Sequence, residues 1–480
     1  MTGAAVLGRL PDYFYKRDFV ITASGLFDTS IVFRKSHGIK TSKNIHIQRN
    51  RLSKVYDPSI DGCRCSSVND ALKKHLKFLI CDEQHGFTPG RSTTTNLLCY
   101  KDYISSALDD RAQVHSVYAD FQKAFDTVPH QLLLHKMCNQ FGVGGSDLDW
   151  FQSYLTNRFQ RVVVNGGQSD WVPVTSGVPQ GSILGPSLFL MYMNDITSCF
   201  HQCECLLFAD DVKIFRRIYS VSDCIDFQHD LTSFSCWCAK WLMKLNLQKC
   251  FFINFSLKRS LDITFDYVLS DSILHSVTEI KDLGVIFSST LSFTSHVNMI
   301  TKKAYRMLGF IKRIMKSTNN VSVFKTLYNA HIRSHVDYCS PVWSSDFKCV
   351  IAKIESIQKR FVKHLCFISN TPYCSDNYVE LCRNFNLPTL EGRRKITDFV
   401  LFRKIARGEV NCPYLISSVC YKVPLRRTRH TELFTSKKKN RLLLRKSDFL
   451  PRICTLANST SSFDILTCSN FIIKKHLMFL

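Results

Sequence analysis

The strongest constraint on this chain is a pair of adjacent carboxylates between two apolar, β-prone runs, in residues 206–215 (LLFADDVKIF). Two short apolar runs around a polar turn predict a β-hairpin with Asp210 and Asp211 at its turn. Asp is also a common turn residue, because its side chain bonds to nearby backbone groups, and most such turns are solvated and inert. The hairpin alone therefore leaves a purely structural role open.

A second acidic strand lies upstream of the hairpin. Residues 114–126 (VHSVYADFQKAFD) predict a strand that ends at Asp120. Two strands that carry carboxylates suggest a metal site, because Mg²⁺ takes one or two carboxylates together with substrate phosphates. A two-metal site stabilises both the attacking and the leaving oxygen of an in-line phosphoryl displacement. Asp120, Asp210 and Asp211 are thus candidate metal ligands.

A glycine-rich stretch lies between the two acidic strands, at residues 174–189 (VTSGVPQGSILGPSLF). Glycines let a backbone approach a ligand closely, and a helix N-terminus favours nearby phosphate. The alternative is an ordinary loop followed by a core helix, and the Gly/Pro pattern does not decide between the two.

In this order and spacing, the three stretches resemble the palm motifs of reverse transcriptases, in particular those of non-LTR retrotransposons (LINE-type, jockey-like). The resemblance includes the linking segments 150–155 (WFQSYL), 157–160 (NRFQ) and 192–196 (YMNDI). It implies that Asp120, Asp210 and Asp211 hold two catalytic Mg²⁺ ions, with Mn²⁺ as an alternative. An intron maturase or telomerase-like relative shares the palm, but its linking segments differ.

The resemblance also implies the fold class and the domains. We expect an α+β right-hand polymerase with an antiparallel palm sheet, partial fingers and a helical thumb. The expected segments are a divergent or damaged fingers remnant at 1–75, reverse transcriptase fingers and palm at 76–290, a helical thumb at 291–370 and a basic C-terminal region at 371–480. Because residues 1–75 lack the family's usual fingers opening, and because no endonuclease precedes them, we expect an N-terminally truncated copy of such an element.

The resemblance further implies substrate-binding residues near the first acidic strand. Arg91, in residues 82–92 (DEQHGFTPGRS), is expected to meet template or nucleotide phosphate, although a Gly-Arg pair in a loop is more often a solvated turn. Phe121 is expected to contact the nucleotide. Phe125 lies at the family's steric-gate position, where a ring excludes a ribose 2′-hydroxyl, and its alternative is plain core packing.

Two further segments carry implied site residues. Gln180 and Gly181, in the glycine-rich stretch, are expected to bind substrate. Residues 245–250 (LNLQKC) resemble the family's fourth palm motif, in which Lys249 would stand near the leaving pyrophosphate as a general acid. A solvated surface lysine is the competing interpretation. Downstream, residues 279–287 (EIKDLGVIF) predict a single strand that resembles the primer-grip region.

The charge of the chain indicates a polyanionic partner. It carries 63 Lys and Arg against 39 Asp and Glu, a formal net charge of +24. Such binding is strongly salt-dependent, because counterions are released. Basic residues alternate with apolar stripes at helical spacing in the expected thumb, and residues 421–446 contain ten Lys or Arg and one acid. We expect an RNA template, a DNA primer and deoxynucleoside triphosphates as partners.

Membrane and zinc binding are not expected. No apolar run approaches the roughly 20 residues that span a bilayer. The 21 cysteines are scattered, and their close pairs are separated by one residue rather than the two to four usual in zinc sites. These pairs are Cys63/Cys65, Cys203/Cys205 and Cys236/Cys238. We therefore predict no zinc.

The sequence thus predicts an RNA-directed DNA polymerase of a non-LTR retrotransposon, which transfers deoxynucleotidyl groups to a primer 3′-hydroxyl. The competing hypothesis is a catalytically silent remnant that only binds RNA or DNA. The intact acids favour the enzyme, and the missing fingers opening favours the remnant. We expect an intracellular protein, in a cytoplasmic ribonucleoprotein, in the nucleus or in both.

Overall fold

The computed structural model describes residues 31–33, 45–51, 58–257, 263–317, 319–422, 434–435 and 448–459. The strands, in chain order, are β1 Ile31–Phe33, β2 Ile45–Arg51, β3 Gln113–Ala119, β4 Arg158–Val164, β5 Gly167–Gln168, β6 Val172–Pro173, β7 Glu204–Phe208, β8 Asp211–Ile218, β9 Phe251–Phe255, β10 Val268–Leu269, β11 Ser272–Ile273, β12 His275–Ser276, β13 Glu279–Asp282, β14 Val285–Ser288, β15 Cys420–Tyr421 and β16 Phe434–Thr435.

The helices, in chain order, are α1 Pro58–Leu76, α2 Thr93–Asp109, α3 Ala124–Thr127, α4 His130–Phe141, α5 Gly145–Leu155, α6 Gly185–Met193, α7 Val221–Lys240, α8 Thr294–Ile314, α9 Val321–Tyr328, α10 Ser334–Asp337, α11 Ser340–Trp343, α12 Lys348–Ile368, α13 Tyr378–Asn384, α14 Leu390–Ala406, α15 Pro413–Ser417 and α16 Phe449–Ser459. Short 3₁₀ turns occupy Asn194–Cys199 and Leu247–Lys249, and a π-helical turn occupies Asn329–Arg333.

The chain divides into two compact units. The first comprises residues 1–81, 121–195 and 238–244, and the second comprises 82–120, 196–237 and 245–480. Both units are discontinuous, so their limits differ from the segment boundaries expected at residues 75, 290 and 370. Those boundaries remain predictions.

The first unit contains a sheet built around β4. This strand pairs antiparallel with β2, in the register Ile47↔Val162, and also with β5 and β6, while β1 pairs with β2. The turn from β4 to β5 is the Asn165-Gly166 pair that sequence cues favour, with both residues at positive φ. β1 and β2 belong to the N-terminal region, where the sequence shows no clear period.

Helices α4 and α6 supply apolar side chains to the core of the first unit. A lysine is buried with them: Lys136 Nζ donates to the Tyr192 carbonyl and to Asp195 Oδ1, both at 2.6 Å. It also lies 3.7 Å from the centre of the Trp241 ring. A buried ammonium needs such partners, because desolvating an unpaired charge is costly.

The second unit contains the sheet that carries the acids. Its strand order is β12-β9-β3-β8-β7. The pairs β9–β3, β3–β8 and β8–β7 are antiparallel, as expected for a palm, whereas the two-residue β12 pairs parallel with β9. The sheet is therefore mixed at one edge rather than wholly antiparallel. Helix α2 begins in a capping box between Ser92 and Thr95 and packs its apolar face on this sheet.

Residues 294–368 are largely helical, as the spacing of their apolar residues predicts. The stripe on α8 is buried at Val297, Ile300, Ala304, Leu308 and Ile311. On α12, the residues Ile354, Ile357, Phe361 and Leu365 are buried in the same way. Among the described residues, no helix is both long and apolar enough to cross a membrane.

The single strand predicted at residues 279–287 is wrong. The structure has a hairpin there, in which β13 pairs with β14 through the register Asp282↔Val285. Leu283 and Gly284 form its turn with φ values of 41° and 90°. Two consecutive residues at positive φ are typical of a tight hairpin turn, and Gly284 adopts this conformation without steric cost.

Candidate active site

The two adjacent acids lie at the tip of the hairpin formed by β7 and β8. Phe208 pairs with Asp211, so Ala209 and Asp210 form a two-residue loop. Ala209 has a φ of 57°, which a residue with a Cβ rarely adopts. Such turns require a positive φ at their first central residue, where Gly is usual. The predicted hairpin with acids at its turn is confirmed, and its loop is backbone-strained.

A loop from residues 84–86 holds this strained turn in place. The buried Gln84 Oε1 accepts hydrogen bonds from the backbone N–H groups of Ala209, at 2.9 Å, and Gly86, at 2.8 Å. Gly86 lies so close to the turn that an added Cβ would stand 2.3 Å from the Ala209 nitrogen. Residue 86 must therefore be glycine if the turn is to keep this position.

Asp120 reaches the same end of the sheet from the neighbouring strand. β3 pairs with β8 in the register Ala119↔Val212, so Asp120 follows at the level of Asp211. Its carbonyl accepts from the Asn246 N–H at 2.7 Å. Its Oδ2 forms an ion pair with Lys249 Nζ at 3.1 Å. The structure thus brings together Asp120, Asp210, Asp211 and Lys249, with the lysine paired to a candidate metal ligand.

Electrostatic interactions among the acids favour a bound cation. The pKa of Asp211 is raised to about 6, first by desolvation and then by the negative charge of Asp210. The Asp211 residue as a whole is solvent-exposed, but protein atoms surround its carboxyl group and displace water from it. Desolvation is therefore the largest cause of its raised pKa. A divalent cation would relieve this repulsion, and carboxylate oxygens are the ligands that hard cations prefer. The donor set therefore fits a divalent metal.

Two residues beyond Asp211 on β8, Lys213 takes part in a buried ion pair. Lys213 Nζ contacts Asp282 Oδ2 at 2.7 Å and also donates to Asn96 Oδ1. The lysine and aspartate side chains are only 2% and 4% exposed. The charges of both residues influence Asp211: Asp282 raises the pKa of its carboxyl and Lys213 lowers it.

Sequence reasoning missed the buried contacts of Lys213 with Asp282 and Asn96, and it missed the hydrogen bonds between Gln84 and the turn. One signal was available, because Lys213 is a charged residue inside the apolar run 212–215. A central strand seldom buries a lysine without a partner. The identity of the partner, however, depends on folding, since Asp282 lies 69 residues away.

Arg91 occupies a different environment from the one expected. Its side chain is 2% exposed and forms an ion pair with Asp82 at 2.6 Å. Its Nε donates to the Asn411 carbonyl at 2.6 Å, and its Nη1 donates to the carbonyls of Asp82 and Gln84. These contacts favour a structural role, in which Arg91 fixes the loop that carries Gln84. Its contact with phosphate stays a prediction.

The remaining expected site residues belong to the first unit. Phe121 is buried, and the half-buried Phe125 stacks on Phe189 with ring centres 4.1 Å apart. Gln180 Nε2 donates to Asp126 Oδ1 at 3.1 Å. Gly181 has a φ of 84°, in the region that favours glycine. Their roles in nucleotide binding stay predictions.

Comparison with known proteins identifies similar sequences over most of the chain. The family described as "Reverse transcriptase (RNA-dependent DNA polymerase)" matches residues 58–312. The chain is 28% identical over 356 residues to "Probable RNA-directed DNA polymerase from transposon BS" of Drosophila melanogaster, which covers 71% of this chain and 37% of that protein. It is 24% identical over 338 residues to "RNA-directed DNA polymerase from mobile element jockey" of Drosophila funebris, which covers 65% of this chain and 36% of that protein.

The chain therefore spans a little over a third of the length of these curated relatives. Among solved structures, apo telomerase from Candida tropicalis is similar with a TM-score of 0.40 and 11% identity, over 74% of this chain and 61% of that one.

Proposed function

This chain belongs to the reverse transcriptase family, and on that premise we propose that it is the RNA-directed DNA polymerase of a non-LTR retrotransposon. The proposed reaction joins a primer 3′-oxygen to the α-phosphorus of a deoxynucleoside triphosphate and releases pyrophosphate, with RNA as the template. One observation carries the proposal: three aspartates from two neighbouring strands stand at the same end of one sheet. We further propose that the protein acts inside the cell, in a cytoplasmic ribonucleoprotein or in the nucleus.

We assign Asp120, Asp210 and Asp211 to the metal ions. Members of this family use divalent ions, and we propose two Mg²⁺, with Mn²⁺ as an alternative. When bound, such ions stabilise charge on the attacking and leaving oxygens. The pairing of β7 with β8 and the hydrogen bond from the Ala209 N–H to Gln84 hold Asp210 and Asp211 in place before substrate binds, so little reorganisation is needed during reaction.

We assign Lys249 to the leaving group. Its side chain is 54% exposed and pairs with Asp120, so it is accessible to solvent and already close to one candidate metal ligand. A lysine there is able to donate a proton to a departing pyrophosphate oxygen. For the first unit, the resemblance to the family supports nucleotide contacts by Phe121, Phe125, Gln180 and Gly181.

Primer extension on a homopolymer RNA tests this function. We expect extension by the wild-type chain with Mg²⁺, and none by Asp210→Asn, because the variant loses a metal ligand. RNA binding by Asp210→Asn should be nearly unchanged, since phosphate contacts position nucleic acid separately from the chemistry. Asp271→Asn is a matched control, because Asp271 is exposed at a positive φ of 63° that Asn tolerates.

Full extension by Asp210→Asn would refute the assignment of the acids. A wild-type chain that binds RNA but never extends a primer, with either Mg²⁺ or Mn²⁺, would instead identify a silent remnant.

A further inference from the structure

A second group of metal-binding side chain types is buried in the second unit, outside the acid site. His85, Cys99 and Cys412 come from a loop, from α2 and from the residue before α15. One donor atom from each lies within 4.8 Å of those of the other two, and all three residues are buried. The two sulfur atoms are 3.4 Å apart. Imidazole nitrogen and thiolate sulfur are the ligands that Zn²⁺ prefers.

Hydrogen bonding determines which nitrogen of His85 is available. The Thr95 hydroxyl donates its only hydrogen to the Ser92 carbonyl at 2.8 Å. With its hydrogen assigned to that carbonyl, the hydroxyl accepts in its 2.8 Å hydrogen bond with His85 Nδ1. His85 Nδ1 consequently carries the proton, which leaves the Nε2 lone pair free of hydrogen in the neutral ring. A histidine that binds a metal through one ring nitrogen usually donates the N–H of its other ring nitrogen to a nearby acceptor.

The protonation states of the three groups also suit a cation. Burial lowers the pKa of His85 to about 3, with the charges of Arg91 and Lys213 as smaller causes, so the imidazole is neutral at physiological pH. The hydrogen bond between the thiols lowers the pKa of Cys412 to about 7 and raises the pKa of Cys99. Cys412 is thus the more acidic of the two thiols, and a cation at this place would have to displace the proton that Cys99 keeps.

We propose that His85 Nε2, Cys99 Sγ and Cys412 Sγ bind a zinc ion that joins the C-terminal region to helix α2. Two thiolates and a neutral imidazole balance the charge of Zn²⁺, which a buried site requires. With Zn–S bonds of about 2.3 Å in a tetrahedron, the sulfurs would be about 3.8 Å apart, so they need to separate only slightly.

The surroundings provide room for a fourth ligand. His85, Cys99 and Cys412 line a cavity of about 170 Å³, whose wall also contains Asp82, Glu83 and Glu204. Glu83 and Glu204 make the cavity more favourable for a cation, whereas Asp82 is already paired with Arg91. The volume is ample for a water molecule. Three protein ligands with water in the fourth position is the coordination of catalytic zinc sites, whereas purely structural sites usually have four protein ligands.

The residues around Cys412 are already fixed on the same surface. The Asn411 carbonyl accepts from Arg91 Nε at 2.6 Å, and the Tyr414 hydroxyl donates to Asp102 Oδ2 at 2.9 Å. These contacts position Cys412 without the metal. The expectation of no zinc depended on closely spaced cysteine pairs, and none of those pairs contributes a ligand here.

Metal analysis of the purified full-length chain tests the proposal. After loading with Zn²⁺ and removal of excess, mass spectrometry of the metal content should give one equivalent for the wild type. Cys99→Ser and Cys412→Ser should each lose it. Cys454→Ser is the matched control, because Cys454 is equally buried but lies outside the cluster, and it should keep one equivalent. Asp210→Asn should also keep it, which separates this site from the acids and from the proposed polymerase function.

A second measurement uses only the wild-type chain, in case the variants fail to fold. Zinc should slow alkylation of Cys99 and Cys412 by iodoacetamide at least tenfold and leave the rate at Cys454 unchanged. Co²⁺ in place of Zn²⁺ should give the charge-transfer absorption of thiolate ligation. Equal alkylation with and without zinc would overturn the proposal, and so would a disulfide-linked peptide joining Cys99 to Cys412.

Discussion

The ion pair between Lys213 and Asp282 allows a direct test of what supports the acid hairpin. Lys213→Met keeps the long apolar stem and removes the ammonium group. Asp282 would then retain a negative charge at 4% side-chain exposure, and the Tyr118 hydroxyl, which donates to its Oδ2 at 3.4 Å, is too distant to replace the ammonium. The Asn96 side-chain oxygen would also lose the Lys213 donor.

The expected loss of stability is large. Removing one partner of a buried ion pair costs about 3–5 kcal/mol, because the remaining charge is desolvated and unpaired. This is a substantial fraction of the roughly 5–15 kcal/mol that stabilises a typical domain. Adding Asp282→Asn to Lys213→Met removes the unpaired charge with little change of shape. We expect the double variant to recover at least about half of the lost free energy.

Urea unfolding at pH 7, followed by circular dichroism, measures these differences from the shift of the midpoint. Lys281→Met is the control, since Lys281 is exposed on the same strand as Asp282, and it should change the free energy of unfolding by less than about 0.5 kcal/mol. The reasoning is refuted if Lys213→Met unfolds within about 1 kcal/mol of the wild type and Asp282→Asn adds nothing to it.

Three further predictions concern pH, nucleotide selection and nucleic-acid binding. The pKa of the Asp211 carboxyl is about 6 in the folded chain and 3.8 in the unfolded chain, so between these pH values the folded chain keeps a proton that the unfolded chain has lost. Without divalent ions, the urea midpoint should therefore fall as pH rises from 3.8 to about 6. Asp211→Asn or added Mg²⁺ should abolish this fall. Phe125→Val should lower the preference for deoxynucleotides over ribonucleotides in single-nucleotide incorporation, whereas Phe189→Leu, which alters the ring that stacks on Phe125, should keep that preference. If Phe125→Val leaves the ratio of deoxynucleotide to ribonucleotide incorporation unchanged but lowers the melting temperature, Phe125 is a core residue. The third variant neutralises four basic residues outside the described part of the chain, namely Lys437, Lys438, Lys439 and Arg441. This change should weaken binding to unrelated RNAs and reduce the slope of log affinity against log salt by roughly 0.7–0.9 for each phosphate that is no longer neutralised, and an unchanged slope would show that these residues do not bind the nucleic-acid backbone.

Local sequence patterns predicted the elements that carry the acids. The strands β3, β7 and β8 and the turn at Asp210 are each set by a few neighbouring residues, namely an apolar run and a polar turn. The same is true of the apolar stripe on α8. Such features depend on residues that are close in sequence, so a single chain reveals them.

The supports of the site could not be predicted in this way. Gln84 bonds to Ala209 across 125 residues, and Lys213 reaches Asp282 across 69. The hairpin at 279–288 was missed because only one of its two turn residues, Gly284, is a usual turn signal, whereas Leu283 adopts a positive φ without being Gly or Asn. Lys249 likewise has an exposed side chain, and only the fold pairs it with Asp120.

These long-range contacts give residues 82–92 a structural role at the acid hairpin, although none of Asp120, Asp210 and Asp211 lies in that segment. Gln84 satisfies the backbone of the turn, Gly86 allows the loop to approach it, and Arg91 holds the loop through three carbonyls and Asp82. A turn with Ala209 at a φ of 57° persists only when its surroundings hold it there. The position of Asp210 therefore depends on two segments of the chain, namely the β7–β8 hairpin and a loop more than one hundred residues earlier.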